Sequence, residues 1–474
     1  MRKVIPITAV PADGELVSLY AAQPKIYPRS VQGLFARWRW GMVLLTQLVF
    51  YGLPWLQYGE RQAVLLDLAA RRFYLFGLVL YPQDFIYLTG LLVVSALSLF
   101  LFTAVAGRLW CGFTCPQTVY SEIFMWIERR IEGDRGARMR LDGGALSSAK
   151  LGKKAAKHAV WLLLSLWTGF TFVSYFTPTH ALLQESLQLN FGSWEVFWGL
   201  FYSAATYGNA GFMREQVCKY MCPYARFQSA MFDKDTLIVS YDTSRGEPRG
   251  ARSRRANSDT LATLNLGACV DCTLCVQVCP TGIDIRQGLQ YECINCAACV
   301  DVCDGVMDKM GYARGLVRFA THNGIQEGWT ARQMLRRVLR PRVLIYTVLL
   351  WTLILCLGIS LALRTPLKVD VVRDRAALSR IVAGGQLENV YRLQLMNATE
   401  SPQRYTLSAH GLMGLVLASE TQVEVGAVQS RWVAVRLHIP YGSAAPGSHP
   451  VVFDIASADG KDRVSEKSTF IVPR

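Results

Sequence analysis

The sequence predicts a membrane α-helical protein with a cysteine-rich cytosolic insert and a C-terminal immunoglobulin-like β-sandwich. Three observations lead to this fold class. Hydrophobic residues make up 51% of the 474 residues and charged residues only 18%, which is an apolar balance for a soluble protein. Twelve of the thirteen cysteines stand in short-spaced groups, and apolar and polar residues alternate along much of the chain beyond Arg364.

Five stretches are long and apolar enough to cross a bilayer, which takes about 20 residues of helix. They are Trp40–Tyr58, Phe85–Ala106, His158–Thr177, Trp194–Met213 and Val343–Leu363. A sixth stretch, Phe73–Tyr81, is too short to span and is predicted to be interfacial or re-entrant. The second and fourth helices are each followed by a Cys-x3-Cys-Pro motif and a short amphipathic stretch, so the membrane part reads as a duplicated two-helix unit.

Loop charge predicts the orientation of these helices. Segments 108–157 and 214–342 are rich in Lys and Arg, whereas Pro178–Ser193 has neither. The N-terminus and both basic segments are therefore expected on the cytosolic side of a bacterial inner membrane. The predicted parts are a cytosolic N-terminal segment (1–39), a four-helix membrane domain (40–241), a polar linker (242–263), the cysteine-rich domain (264–342), a fifth helix (343–363) and a periplasmic β-domain (364–474).

The net charge of +15 could suggest nucleic acid as a partner. The positive-inside rule explains that charge better, because the basic residues gather beside apolar stretches. We therefore expect membrane lipid as a partner and no nucleic acid. The linker reads DTSRGEPRGARSRRANSDTLAT; Arg254 and Arg255 could touch anionic headgroups, although a solvated linker is the simpler interpretation.

Seven short segments beyond the fifth helix show the alternation of half-buried strands. Gly, Pro, Asn and Ser separate them, which is typical of a β-sandwich that holds together by packing alone, since no cysteine lies in it. The segments are Lys368–Val372, Tyr391–Met396, Tyr405–Ala409, Gln422–Val425, Trp432–Ile439, Val451–Ile455 and Thr469–Val472.

Eight cysteines have the spacing of a bacterial two-cluster ferredoxin, in which the fourth cysteine of each run binds the other cluster. The runs are Cys269-x2-Cys272-x2-Cys275-x3-Cys279-Pro and Cys293-x2-Cys296-x2-Cys299-x3-Cys303. One [4Fe–4S] cluster is expected on Cys269, Cys272, Cys275 and Cys303, and the other on Cys279, Cys293, Cys296 and Cys299. Paired zinc sites are the alternative, but they would not need eight cysteines in this order. Asp304 replaces the proline that usually follows the second run.

The two Cys-x3-Cys-Pro pairs, Cys111/Cys115 and Cys218/Cys222, are less specific. Residues four apart on a helix share a face, so each pair could hold one ion, and both pairs together could supply four soft ligands for Cu(I), zinc or iron–sulfur chemistry. A redox-active dithiol and simple packing remain alternatives. Isolated residues are expected to pack or to lie at the surface: Cys356, Met125, Met213, Met221, His410, Met413, His438 and His449.

These motifs resemble the cytochrome c oxidase accessory protein family (CcoG, also FixG or RdxA). The resemblance rests on WCGFTCPQ, VCKYMCPY, CVDCTLCVQVCP, CINCAACVDVC and YDTSRGEPRG, and it covers essentially the whole chain. It implies a cupric reductase that converts Cu(II) to Cu(I) for assembly of a cbb3-type oxidase. It also implies catalytic copper handling or electron delivery by the Cys-x3-Cys-Pro cysteines, a cytosolic electron donor, and oxidase subunits and copper-delivery proteins as partners.

Two other functions remain open from the sequence. The chain could be an electron-transfer subunit that links quinone or a cytosolic donor to a partner enzyme. Such a protein would need an interhelical pocket with a polar anchor, and the membrane-flanking His158 and His180 have no obvious partner in the sequence. The chain could also be an assembly scaffold with redox-sensing clusters.

Overall fold

The computed structural model describes residues 25–252, 266–374 and 378–473. Arg254 and Arg255, most of the first predicted segment and the second half of the predicted linker therefore lie outside the described residues. The helices in the described part are α1 Leu34–Gly52, α2 Phe85–Ala106, α3 Leu109–Phe113, α4 Pro116–Glu132, α5 Arg135–Gly143, α6 Ser148–Val173, α7 Thr179–Gln188, α8 Ser193–Gly208, α9 Arg214–Gln216, α10 Pro223–Met231, α11 Thr243–Gly246, α12 Leu274–Gln277, α13 Ala298–Met310, α14 His322–Gln326, α15 Ala331–Arg336 and α16 Pro341–Ala362.

Among the described residues, two helices are long and apolar enough to cross a membrane: α2, with the turn before it, and α16. In the most apolar 18-residue stretch of each, 0% and 11% of the residues are buried. Helices of this composition in a soluble core would be buried, so their exposure suggests membrane association. Helices α1, α6 and α8 overlap the other three predicted spans but do not meet the same test, and the count of five crossings stays a prediction.

Both apolar helices connect the same two ends of the molecule, in opposite directions. At one end, the Arg340 guanidinium before α16 donates to the Ala104 carbonyl near the end of α2, over 2.6 Å. At the other end, Arg364 after α16 pairs with Asp84 before α2, over 2.7 Å. Since a 22-residue helix is about 33 Å long, these helices keep the cysteine-rich part and the β-domain about one bilayer thickness apart.

The strands of the described residues fall into five sheets. In chain order they are β1 Gln57–Tyr58, β2 Arg61–Gln62, β3 Val64–Asp67, β4 Arg72–Leu75, β5 Leu78–Leu80, β6 Ile238–Tyr241, β7 Val317–Ala320, β8 Leu367–Arg373, β9 Arg380–Val382, β10 Gln386–Asn397, β11 Gln403–His410, β12 Val416–Leu417, β13 Gln422–Val425, β14 Ser430–Pro440, β15 Gly447–Ser457 and β16 Arg463–Val472.

The C-terminal domain is a sandwich of two antiparallel sheets, with strand orders β12-β14-β10-β8 and β13-β11-β15-β16, and β9 pairs with β10. All seven predicted segments lie within observed strands. Alternate residues point into one core, where Tyr391 packs edge-on against Phe453 with ring centroids 5.0 Å apart. Both side chains are fully buried, so packing replaces a disulfide in this domain.

The prediction for Phe73–Tyr81 is wrong. This segment forms β4 and β5 of a three-stranded antiparallel sheet with β3. Tyr74 and Val79 pack in one apolar cluster with Met396 and Val428 of the sandwich, and the Tyr81 hydroxyl donates to the Asn397 carbonyl over 3.0 Å. The segment therefore docks on the C-terminal domain of the same chain, which covers Tyr74, Val79 and Tyr81.

The cysteine-rich domain is joined to its surroundings on both sides. The Asp301 carboxylate of α13 accepts backbone N–H groups of Phe35 and Ala36, at 3.1 and 2.7 Å, and so caps the start of α1. The first half of the predicted linker is not solvated chain, because Arg252 donates to the Gly267 carbonyl over 2.7 Å. Strand β6 before this segment also pairs with β7 after the cysteines.

Candidate metal centres

The two ferredoxin-type loops have the same unusual backbone at matching positions. The residues on either side of the central cysteine have positive φ: Asp271 and Thr273 in the first loop, and Asn295 and Ala297 in the second, at 50–58°. Non-glycine residues avoid this left-handed region, which costs roughly 1–2 kcal/mol each. Alternation of left- and right-handed residues turns successive N–H groups inward, and such concavities hold anionic groups including iron–sulfur clusters.

The structure brings the first predicted cluster group together across the domain. Cys269, Cys272, Cys275 and Cys303 line one cavity of about 380 Å³. Cys303 reaches this cavity from helix α13 of the second run, as crossed ligation requires. Burial raises the pKa of the Cys303 thiol to about 12, and the neighbouring Cys275, Cys269 and Cys272 add to the shift.

The second group also forms across the two runs. Burial raises the pKa of the Cys293 thiol to about 12, and Cys296 and Cys279 contribute to the rise. The pKa of Cys299 is raised by burial and by the same neighbours, with a further contribution from Cys275 of the first group. Both groups therefore lie side by side, and binding of metal to either would displace protons from the thiols.

The Cys-x3-Cys-Pro pairs are positioned by prolines at helix starts. Pro116 begins α4 directly after Cys115, and Pro223 begins α10 directly after Cys222. Backbone N–H groups at the start of α4 point at the Cys115 sulfur and favour its thiolate, although burial raises its pKa overall. The second cysteine of each pair therefore directly precedes a helix start, and the Cys115 thiol lies at the helix N-terminus.

The two pairs meet and form a third group of four thiols. Burial raises the pKa of Cys111 to about 12, with contributions from Cys115, Cys218 and Cys222. Burial likewise raises the pKa of Cys218 to about 11, with Cys115 and Cys222 as neighbours. The sequence predicted that the pairs would lie at one membrane face. The structure adds that all four thiols are close enough to influence one another.

This third group packs directly on the second. Cys111 shares an apolar cluster with Cys218 and with Cys296 and Cys299. Gly112 makes this contact possible, because a Cβ atom there would lie 2.7 Å from the Ile294 carbonyl oxygen. The three cysteine groups consequently form a row, which begins at the exposed Cys272 and ends at the Cys-x3-Cys-Pro pairs.

An arginine accompanies each step of this row: Arg286 is partly buried, and Arg39 and Arg108 are buried. Neither composition nor spacing marked these three residues. Arg286 lines the cavity of the first group, and Arg39 interacts with Cys296 of the second. Arg108 is 1% exposed, donates to the Cys293 carbonyl over 3.4 Å, and lowers the pKa of Cys111, against the larger effect of burial. In the sequence these residues look like ordinary positive-inside charges, so no local signal marks them.

The residues present fit iron–sulfur clusters in the first two groups. Across the described ranges, no three His, Cys, Asp or Glu side chains are close enough to hold one metal ion. Four thiolates on a single zinc ion at about 2.3 Å would lie only roughly 3.8 Å apart, whereas a cubane carries its thiolates on four separate irons. The left-handed residues on either side of Cys272 and Cys296 form turns that suit an anionic cluster, and they favour clusters over zinc.

Asp304, the departure from the usual proline, has a structural role of its own. Its carboxylate accepts the Gly315 N–H over 2.9 Å and so fixes the chain after α13. The other single residues stay apart from the cysteine groups: Cys356 is exposed on α16, His438 pairs with Glu388 over 2.8 Å, and His158 lies 2.9 Å from the Tyr207 hydroxyl.

Known families match three parts of the chain. A family described as "4Fe-4S dicluster domain" matches residues 213–322, and one described as "4Fe-4S binding domain" matches residues 88–133. The Ig-like fold at the C-terminus of FixG matches residues 357–473. The first match contains all eight ferredoxin-type cysteines and the second Cys-x3-Cys-Pro pair, and the other 4Fe-4S match contains the first pair.

Curated relatives extend the similarity over most of the chain. "Nitrogen fixation protein FixG" of Rhizobium meliloti is 40% identical over 83% of this chain and 80% of its own length. "Protein RdxA" and "Protein RdxB" of Cereibacter sphaeroides are 38% and 39% identical, over 90% and 92% of this chain and 91% and 93% of their own lengths. With its ferredoxin-type loops and its Ig-like C-terminal domain, this chain belongs to the FixG/RdxA family of iron–sulfur electron-transfer proteins.

Proposed function

We propose that this protein reduces Cu(II) to Cu(I) and that the Cu(I) is used to assemble a cbb3-type cytochrome c oxidase. One observation carries the proposal: Cys111 and Cys218 lie in the same apolar cluster as Cys296 and Cys299 of the second ferredoxin group. A copper ion bound by thiols of the third group would thus lie next to the residues of a redox site. The reaction is Cu(II) + e⁻ → Cu(I).

The cysteines have separate roles in this proposal. The eight ferredoxin-type thiols would hold two [4Fe–4S] clusters, which supply one-electron chemistry when bound. The thiols of Cys111, Cys115, Cys218 and Cys222 bind copper as thiolates. Thiolates are soft ligands that favour Cu(I) over Cu(II), so they shift the equilibrium toward reduction. Burial disfavours a free thiolate at Cys111, and the positive charge of the neighbouring Arg108 offsets the negative charge of thiolates at the site.

A small cavity beside this site supports a route for the ion. Its lining includes Glu122, Glu215, Cys218 and Cys296, together with Arg39 and Arg214. Carboxylates accept harder ions such as Cu(II), and thiolates retain softer ones.

The partners and orientation follow from the two ends of the molecule. We place the N-terminus and the cysteine groups in the cytosol, because the basic segments lie at that end, and the C-terminal domain in the periplasm. A cytosolic electron donor would approach the exposed Cys272. The Cu(I) would pass to a copper-delivery protein or to an oxidase subunit, and the bacterial cytoplasmic membrane is the proposed location.

The test is copper reduction by the dithionite-reduced, cluster-replete protein, measured with a Cu(I)-specific chelator. We expect the double variant C111S/C115S to lose at least about tenfold in rate, as removal of metal ligands or their supports commonly does. Cys356→Ser is the matched control, because this cysteine is exposed on α16, apart from the three groups. Unchanged rates in the double variant would remove these thiols from the mechanism.

A further inference from the structure

The residue that follows each Cys-x3-Cys-Pro motif reaches across to the other half of the duplicated unit. Gln117 stands directly after the first motif, and Tyr224 stands directly after the second. Each is the second residue of the helix that its motif begins, α4 and α10 respectively, and both side chains are half-buried. The duplication therefore places these two side chains at equivalent positions.

The Gln117 amide binds the backbone that leads to the second cysteine pair. Its Nε2 atom donates to the carbonyls of Asn209 and Arg214, over 3.0 and 3.1 Å, and has a longer contact of 3.4 Å with Ser121 Oγ. Asn209 begins the π-helical turn that follows α8, and Arg214 begins the segment that carries the second pair. A π-helical turn departs from regular helical hydrogen bonding, so the amide adds its two bonds where the backbone is irregular.

Helix α4 makes a second contact with the same segment. The Arg214 guanidinium pairs with Glu128 of α4 over 2.9 Å and donates to the Ala210 carbonyl over 3.1 Å. Gln117 and Cys218 also line the same small cavity. Helix α4 thus has the first cysteine pair at its start and binds the chain just before the second pair.

Tyr224 makes the converse contact, with the helix that leads to the first pair. Its hydroxyl lies 3.1 Å from Thr103 Oγ1 and 3.3 Å from the Leu99 carbonyl oxygen, both near the end of α2. Thr103 uses its own proton on the Leu99 carbonyl, over 2.7 Å, so Tyr224 is the donor in either contact. Gln228 of α10 donates to the same Thr103 hydroxyl over 3.0 Å and accepts from the Cys111 thiol over 3.3 Å. Helix α10 therefore binds both α2 and the first pair.

We infer that Gln117 and Tyr224 are positioning residues that join the two cysteine pairs into one four-thiol site, each fixing the pair on the other half of the duplicated unit. Their contacts join residues 92 to 125 positions apart in the chain. Local spacing within a Cys-x3-Cys-Pro motif cannot set the distance between the two motifs. Two crossed sets of hydrogen bonds set it, because each motif's own helix fixes the backbone ahead of the other motif.

The test is residue-specific labelling of thiols in the full-length, cluster-replete protein in lipid nanodiscs, without copper, by isotope-coded maleimide and mass spectrometry. Gln117→Met keeps the length of the side chain and removes its donors, so the two thiols of the second motif should react about tenfold faster. The thiols of the first motif should stay within about twofold. Tyr224→Phe removes one hydroxyl and should do the converse, with the first motif reacting about threefold faster.

A second measurement connects the contacts to copper, and only this step rests on the proposed function. Competition with a Cu(I) chelator should show Cu(I) binding weakened by about tenfold in Gln117→Met and about threefold in Tyr224→Phe. Iron content should stay at about eight atoms per chain, with both cluster EPR signals unchanged. Gln188→Met, on exposed α7, and Tyr441→Phe, exposed in the C-terminal domain, are the matched controls and should change neither labelling nor affinity.

Three labelling results would overturn the inference: no change in either variant, a faster reaction of the variant's own motif, or an equal rise at all four thiols, which would mean general loosening. The labelling needs neither copper nor an electron donor. If the crossed pattern appears while C111S/C115S leaves copper reduction unchanged, the proposed function falls and this inference stands. If copper reduction depends on the thiols while the crossed pattern is absent, this inference falls and the proposed function stands.

Discussion

The ferredoxin loops and the Cys-x3-Cys-Pro pairs are both duplicated, but they position their thiols differently. Each ferredoxin loop shapes its own site through left-handed residues beside the central cysteine, such as Asp271 and Asn295. The other two copies differ from each other: Cys111 lies in helix α3, whereas Cys218 lies in a π-helical turn, Val217–Met221. Their thiols converge only because α4 and α10 are packed in place.

The two kinds of site differ in how far apart in the chain their residues lie. A ferredoxin loop brings three thiols together within seven residues, so its geometry is mostly local. The third group joins a segment that precedes α6 in the chain to one that follows α8. It also depends on contacts such as that of Gly112 with Ile294. We therefore expect the clusters to tolerate changes at the interface that the third group does not.

The largest expected effect tests the crossed ligation. Cys279→Ser should remove the second cluster and Cys303→Ser the first, and each variant should lower the iron content from about eight to about four atoms per chain. Iron and acid-labile sulfide analysis with EPR of the reduced protein measures this. Uncrossed sites would instead make Cys279→Ser indistinguishable from Cys269→Ser in the EPR spectrum.

The next effect tests whether the two Cys-x3-Cys-Pro pairs act as one site. C218S/C222S should slow copper reduction as much as C111S/C115S does, by at least about tenfold, and all four substitutions together should cost little more, because residues that act as a unit are not additive. Iron content should stay at about eight atoms per chain. Independent losses that multiply would show two separate sites.

Gly112→Ala should have a smaller effect, confined to the contact between the second and third groups. The new methyl group would meet the Ile294 carbonyl at 2.7 Å, and such overpacking costs about 1–3 kcal/mol. Copper reduction should slow severalfold while both cluster signals remain. Gly152→Ala is the control, since a Cβ there meets nothing within 4 Å. Loss of iron in Gly112→Ala would contradict the claim that each ferredoxin loop shapes its own cluster site.

Arg108→Met should change the midpoint potential of the second cluster and leave the fold unchanged. It removes a positive charge beside Cys293 and Cys111, so the reduced, more negative form of the second cluster becomes less favourable. The midpoint potential should fall by roughly 70 mV, the effect of one charge at about 10 Å with an effective dielectric constant of about 20, as measured by EPR-monitored titration. Arg286→Met should shift the first cluster instead, and equal shifts of both clusters in either variant would refute this assignment.

The smallest effect lies in the C-terminal domain. Tyr391→Phe removes the hydroxyl that donates to the Thr469 carbonyl over 2.9 Å, at a cost of about 1 kcal/mol in the free energy of unfolding of that domain. Thermal denaturation measures it. Cluster content and copper reduction should not change, because α2 and α16 separate this domain from the cysteine groups.

The sequence by itself determined the features whose signals are local. Hydropathy gave the bounds of α2, Phe85–Ala106, as the structure has them, and alternation found seven strands of the sandwich. Cysteine spacing predicted the two ferredoxin groups, because three thiolates in a short loop can reach one face of a cluster.

Only the tertiary structure decided which distant segments meet. It turned Phe73–Tyr81 into a sheet docked on Met396 and Val428, and it made Arg108 a buried neighbour of two cysteine groups. It also buried Gln47 Oε1 without a hydrogen-bond partner. A contact between residues far apart in the chain depends on how the elements pack, and neither hydropathy nor spacing records that packing.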